Sequence, residues 1–90
     1  MADNFYGTGR RKSSVARVTI SEGNGNFTFN GKDFEQYFPS PSMKMTIEKP
    51  FKVVSLDGKF DMDVNVNGSG LSSQSDAVAL GISRALIKMD

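Results

Sequence analysis

Hydrophobic and polar residues alternate most cleanly from Lys59 to Asn67, with Phe60, Met62, Val64 and Val66 on one side and Asp61, Asp63, Asn65 and Asn67 on the other. A period of two marks a half-buried β-strand. Its polar side carries two acids, which suits bulk water or a protein neighbour better than a polyanion. Val15 to Ile20 alternates in the same way, with Ala16, Val18 and Ile20 inward and Arg17 and Thr19 outward. Glu22-Gly23-Asn24-Gly25-Asn26 then reads as a hairpin turn, because Gly and Asn tolerate positive φ, and Phe27-Thr28-Phe29 is the predicted return strand. A second hairpin is predicted at Asp57-Gly58, joining a strand from Phe51 to Leu56 to the one that begins at Lys59.

Helical spacing appears in three places. Lys32 to Phe38 predicts a short helix with Phe34, Tyr37 and Phe38 on one face, ended by Pro39 and Pro41. Ser42 is the predicted cap of a second short helix that runs through about Glu48 and stops at Pro50. A long helix is predicted from a cap at Ser72 or Ser73 to about Met89. Val78, Ile82, Ala85, Leu86 and Met89 form its core stripe, Gly81 allows close approach, and Leu80 and Ile87 face away. Two strands, two short helices, two strands and a long helix predict an α+β two-layer sandwich with its helices on one sheet face. Without repeats, low-complexity tracts or linkers, residues 1–90 read as a single domain.

Composition narrows the chemistry. With 38% hydrophobic and 23% charged residues the chain can bury a modest core, which excludes a disordered segment. The absence of cysteine and histidine excludes disulfides and thiol chemistry, and removes the usual zinc ligands and the commonest general base. Asp61 and Asp63 share a strand face, but no base is placed to activate any of the serines. No catalytic residue, metal or cofactor is therefore predicted. Met1-Ala2-Asp3-Asn4 lacks the basic and apolar regions of a signal peptide, and nowhere do 18 apolar residues run together, so the expected location is cytoplasmic with no membrane partner.

The net charge of +1 says little, but its distribution is uneven. Residues 1–20 hold Arg10, Arg11, Lys12 and Arg17 against Asp3 alone, whereas the remainder carries seven cations and nine acids. Residues 6–17 read as a basic strap: Tyr6, Gly7, Thr8, Gly9, Arg10, Arg11, Lys12, Ser13, Ser14 and, on the next strand, Arg17. Arginine grips phosphate bidentately or stacks on bases, lysine supplies a point charge, and the serines offer hydroxyl donors. Gly7 and Gly9 would let the backbone bend and approach a phosphate closely, and Tyr6 would stack on a base or pack on the protein. A solvated basic face is the rival reading. A nucleotide-binding phosphate loop is not, because glycine should stand where Arg11 does and no strand is predicted ahead of the loop.

Gly68-Ser69-Gly70-Leu71-Ser72-Ser73-Gln74 leads from a strand into a helix, an arrangement that attracts an anion. Gly68, Gly70, Ser72, Ser73 and Gln74 are the candidate donors or close-approach points, with a plain helix start as the alternative. Asp76 argues against phosphate there while suiting the helix dipole. Arg84 lies well off the core stripe, where it could reach RNA or simply be solvated.

The aromatic, Gly-Thr-Gly, Arg-Arg-Lys-Ser-Ser, Val-Ala-Arg-Val order of residues 6–18 resembles the start of the small-subunit ribosomal protein nine family. Phe34-Glu35-Gln36-Tyr37-Phe38-Pro39, Lys49-Pro50, the strand from Asp57 to Val66, the segment Gly68 to Gln74 and Gly81-Ile82-Ser83-Arg84-Ala85-Leu86 follow in that family's order and spacing. The resemblance implies the ribosomal protein five domain two-like fold with a left-handed βαβ crossover, against the usual right-handed preference. It also implies a structural role in the small ribosomal subunit, with small-subunit rRNA and neighbouring small-subunit ribosomal proteins as partners. An rRNA phosphate would then occupy the Gly68–Gln74 helix start.

Two departures limit what is carried over. The family continues into a long basic tail that ends near the peptidyl-site tRNA, so no tRNA contact is expected of these residues. The family also often has basic residues where Ala79 and Leu80 stand. Leu80 and Ile87 offer a surface for self-association, although a homo-oligomer is not predicted. The alternatives are a shortened or engineered folding domain with little RNA affinity and, from the wider fold family, a phosphotransferase, whose phosphate loop and acidic base are not visible here.

Overall fold

The computed structural model describes residues 4–53, 60–68 and 70–89. Its elements are β1 (Asn4–Arg11), β2 (Ser14–Glu22), β3 (Phe27–Phe29), β4 (Lys32–Asp33), α1 (Phe34–Tyr37), α2 (Pro41–Val53), β5 (Phe60–Asn67) and α3 (Leu71–Met89). The five strands form one mixed sheet in the order β1-β2-β5-β3-β4. The α+β class is as the sequence predicts, and the alternating residues of β2 and β5 point as expected. Ala16, Val18 and Ile20 pair with Val66, Val64 and Met62, and all six are buried.

The N-terminal segment holds the largest difference from the sequence reading. Rather than a bending strap, Asn4–Arg11 is a β-strand, antiparallel to β2 from Asn4 opposite Ser21 to Arg11 opposite Ser14. Its inward positions include Gly7 and Gly9, which sit against α3. A Cβ on Gly7 would overlap the Gly81 carbonyl oxygen and stand 2.6 Å from the Ala85 nitrogen. On Gly9 it would overlap the Ala77 carbonyl and come within 2.5 Å of the Gly81 nitrogen. The contact is reciprocal, since a Cβ on Gly81 would lie 2.8 Å from Val18 Cγ2 and 3.2 Å from the Gly9 nitrogen. Strand and helix therefore meet backbone to backbone. Glycine here serves close packing, and the strand leaves its conformational freedom unused.

β3 differs in its partner. The turn after β2 exists, but β5 lies between β2 and β3, and β3 runs parallel to β5 with Phe27, Thr28 and Phe29 opposite Met62, Asp63 and Val64. Asp61 explains the wrap: its Oδ1 accepts the backbone N–H of both Asn24 and Asn26 at 3.0 Å, while the Met62 N–H donates to the Asn26 carbonyl at 2.9 Å. These donors hold the Asp61 carboxyl below the ordinary aspartate value, Asn26 contributing most and Asn24 next. Asn30, with φ of +53°, then extends the pairing with its side chain. Its Nδ2 donates to the Val66 carbonyl and its Oδ1 accepts from the Val66 N–H, each at 2.9 Å. A local turn signal announces a reversal of the chain but not which strand it will meet.

Lys32 and Asp33 are strand rather than helix, which leaves α1 as the single turn Phe34–Tyr37. α2 begins at Pro41, where Ser40 occupies the capping position and Ser42 lies inside the first turn; the Lys44 N–H donates to the Ser40 carbonyl at 3.1 Å. It then runs through Pro50 to Val53, past the predicted stop. A proline inside a helix costs about 3 kcal/mol. Phe51 offsets this, being buried and stacked on Phe27 at a centroid distance of 5.3 Å; burial of such a ring and its aromatic contact together contribute roughly 2–4 kcal/mol. Phe51 to Val53 are thus helical rather than strand, and the predicted Asp57-Gly58 turn lies outside the described residues.

Phe29 contacts Phe34, Tyr37 and Phe38 at centroid distances of 5.2, 6.0 and 5.1 Å, so the aromatic stripe read from the sequence does seal the sheet near α1. α3 buries Ala77, Val78, Ile82, Ala85 and Leu86 over β1 and β2, and α2 packs against α3. Leu80 and Ile87 face outward as predicted.

Replacement of Gly9 by Ala should destabilise the fold by roughly 3 kcal/mol or more, because the clash is with backbone that no rotamer change relieves; urea unfolding measures it. Asp61 gives a pH dependence of fixed sign. Its folded pKa is depressed, so its contribution is present above the unfolded aspartate value, about 3.9, and is lost as pH falls through the folded value. Amide signals of Asn24 and Asn26 followed by NMR should titrate together with a midpoint below 3.9, and Asp61→Asn should abolish that titration.

Candidate nucleic-acid interface

The β1–β2 hairpin presents the basic residues. Its two-residue tip is Lys12-Ser13, both exposed, and Lys12 adopts φ of +56°, a region that normally favours glycine. Strand parity divides the remaining cations. Arg11 shares its side of β1 with Gly9 and lies toward α3, where its Nε stands 3.7 Å from Asp76 Oδ2. Arg10 faces the uncovered side of the sheet. Arg17 lies on that side of β2, directly opposite Thr8. Tyr6 is on the same open face and 56% exposed, so its ring is available for stacking. The Arg11–Asp76 pair is largely solvated and worth at most about 1 kcal/mol, leaving the guanidinium able to change partners.

Arg84 is placed by a contact that the sequence could not announce. Its Nη1 donates to the Thr8 carbonyl at 2.7 Å, tying the middle of α3 to the edge strand. The guanidinium therefore sits beside the hairpin rather than on a remote helix face, and its other N–H groups remain as donors.

Several predicted residues prove to be internal. Gly7 and Gly9 lie under α3. Ser14 is fully buried, its Oγ without a hydrogen-bond partner among the described residues, and it is pressed against Gly68, where an added Cβ would overlap it. Its hydroxyl is not presented at the surface. Gln74 is nearly buried and spent: Nε2 donates to the Gly68 carbonyl at 3.0 Å and Oε1 accepts from the Tyr37 hydroxyl at 2.7 Å. Asn30 Nδ2 in turn donates to the Tyr37 oxygen at 3.2 Å, so Gln74 belongs to a network that joins the sheet to the start of α3.

The start of α3 also differs in detail from the sequence reading. The helix begins at Leu71, so neither Ser72 nor Ser73 caps it; the Gly70 carbonyl accepts the Gln74 N–H at 3.2 Å, and Gly70 takes φ of +84°. Gly68, Gly70 and Ser72 remain exposed and Ser73 is half-buried. Ser69 lies outside the described residues.

On the open face the charge changes sign along the strands. Arg10 and Arg17 lie near the hairpin tip, whereas Asp63 and Asp61 lie opposite Thr19 and Ser21 toward the other end of β2. Both acids have structural work: Asp61 holds the turn after β2, and Asp63 accepts from the Thr28 hydroxyl at 3.1 Å. Among the described residues no cluster of three metal-ligating side chains occurs. The geometry offers an exposed basic hairpin with an aromatic beside it.

Comparison with known proteins identifies the family. The family model described as Ribosomal protein S9/S16 matches residues 9–90. The small ribosomal subunit protein uS9 of Maridesulfovibrio salexigens is 49% identical over 91 residues, covering 100% of this chain and 70% of that protein. With the family model matching all but the first residues and the alignment to uS9 covering the whole chain, the chain belongs to the ribosomal protein S9/S16 family.

Proposed function

We propose that this chain is a structural, non-enzymatic component of the small ribosomal subunit that holds rRNA through the β1–β2 hairpin. Family membership supplies the coarser part: a ribosomal protein working in translation in the cytoplasmic ribosome, with rRNA and neighbouring small-subunit proteins as its partners. The finer part rests on one observation, the concentration of Arg10, Arg11, Lys12 and Arg17 on a hairpin whose tip is exposed and whose base is fixed to the core. Tyr6, Thr8 and Ser13 complete the surface offered to RNA. The exposed start of α3, at Gly68, Gly70, Ser72 and Ser73, is a secondary contact. There the N-terminal end of a long helix favours a phosphate, and Arg11 bound to Asp76 stands near enough to offset that acid.

Magnitudes set the role. Four phosphate contacts predict a log–log salt slope of roughly −3 to −4, and a loss of about a hundredfold in affinity between about 50 and 200 mM salt. Such a domain is a component that stays attached within an assembled particle, where other surfaces add to its own.

The test is binding to small-subunit rRNA across salt concentrations, beside the Arg10→Ala, Arg11→Ala, Lys12→Ala triple variant. The slope should flatten by about two to three in the variant; an unchanged slope would place the RNA contact elsewhere on the chain. Lys12 gives a sharper version. Glycine suits a φ of +56° better than lysine, so Lys12→Gly should melt no lower than the parent while losing about three- to tenfold in RNA affinity, as one phosphate contact disappears. Undiminished affinity would leave the strained lysine without this role.

A further inference from the structure

The cations of the hairpin do not form one patch. Gly7 and Gly9 fix which side of β1 faces α3, and the parity of a strand then sends Arg11 to that side and Arg10 to the other. Arg10 lies opposite Val15 and Thr8 opposite Arg17, so Arg10 and Arg17 are diagonal neighbours on the open face. On the helix side, Arg11 stands at Asp76 and Arg84 reaches the Thr8 carbonyl, so the two line the seam between β1 and α3. β1 is the edge of the sheet, and Lys12 projects from the tip between the two pairs.

We infer that the hairpin is a wedge that holds two RNA segments at once, one phosphate track against Arg10 and Arg17 and the other against Arg11 and Arg84. This inference rests on the RNA-binding reading above and adds the shape of the RNA. A two-stranded ribbon enters the wide major groove of B-form DNA. The major groove of A-form RNA is too deep and narrow for it. A regular RNA duplex can therefore occupy one face of the hairpin, and filling both requires two backbones that converge, as at a helical junction. Acids reinforce the division: Asp61 and Asp63 bar the open-face track from running along the whole sheet, so that track must cross near the tip.

The experiment compares two synthetic RNAs, a regular duplex and a three-way junction built from the same helices, by fluorescence anisotropy over a salt series. The variants are Arg10→Gln with Arg17→Gln, and Arg11→Gln with Arg84→Gln. Glutamine removes the charge but keeps a donor toward the Thr8 carbonyl, and thermal melting of each variant confirms that it folds. With Lys12 as a fifth contact at the tip, the parent should show a slope of about −4 on the junction and about −2 to −3 on the duplex. Each double variant should lower the junction slope to the duplex value and weaken junction binding about 10- to 100-fold at about 0.1 M salt. Equal parental slopes on the two RNAs, or one pair carrying the whole effect while the other carries none, would overturn the wedge and leave a one-sided RNA contact. Salt-insensitive or absent binding of both RNAs by the parent would instead overturn the RNA-binding reading itself, and the wedge with it.

Discussion

The contact on which the rest of this molecule depends is the one between two glycines of an edge strand and one glycine of the long helix. Gly7 and Gly9 lie against Gly81, Ala77 and Ala85 so closely that a methyl group would overlap backbone atoms. Among the inward positions of this edge strand only Phe5 packs an apolar side chain against the core. Apposition to α3 supplies the dispersion contacts that its side chains do not, and Arg84 adds a hydrogen bond to the Thr8 carbonyl. Fixing β1 fixes the hairpin tip, and with it the direction in which each cation points.

The same constraint explains what the sequence shows and what it conceals. β2, β5 and the core stripe of α3 are legible because their inward positions carry Val, Ile, Met and Ala, and alternation or helical spacing is then visible. β1 is not legible as a strand, since its inward positions include Gly7 and Gly9, which leave a gap where a hydrophobic signal would stand. Read without that strand, the basic run is a flexible strap with its cations on no particular side. The residue types of the proposed interface are therefore visible in the sequence, but their division between two faces is not. Ser14 and Gln74 were misplaced for a related reason: a serine in a basic run and a glutamine at a helix start look exposed until the elements that cover them are known.

Long-range pairing accounts for the other differences. Asp61 looked like a solvated acid on an outward face, yet it organises the turn that carries the chain past β5, and Asn30 continues the pairing of β3 with its side-chain amide. Both act across more than thirty residues of chain. α2 overruns Pro50 because Phe51 finds an aromatic partner in Phe27, a gain invisible to a rule about proline alone. These polar and aromatic devices lie at β5 and β3, across the sheet from the edge strand β1 that carries Arg10 and Arg11.

In this account a rigid seam of glycines displays a basic hairpin to RNA, and the acidic end of the open face stays clear of it. Photo-crosslinking of the chain to small-subunit rRNA, with the crosslinked peptides mapped by mass spectrometry, tests that most directly. Crosslinks should fall within Tyr6 to Arg17, with none on the open face around Asp61 and Asp63. Crosslinks confined to α2 or to the β5 acids, with the hairpin untouched, would contradict it.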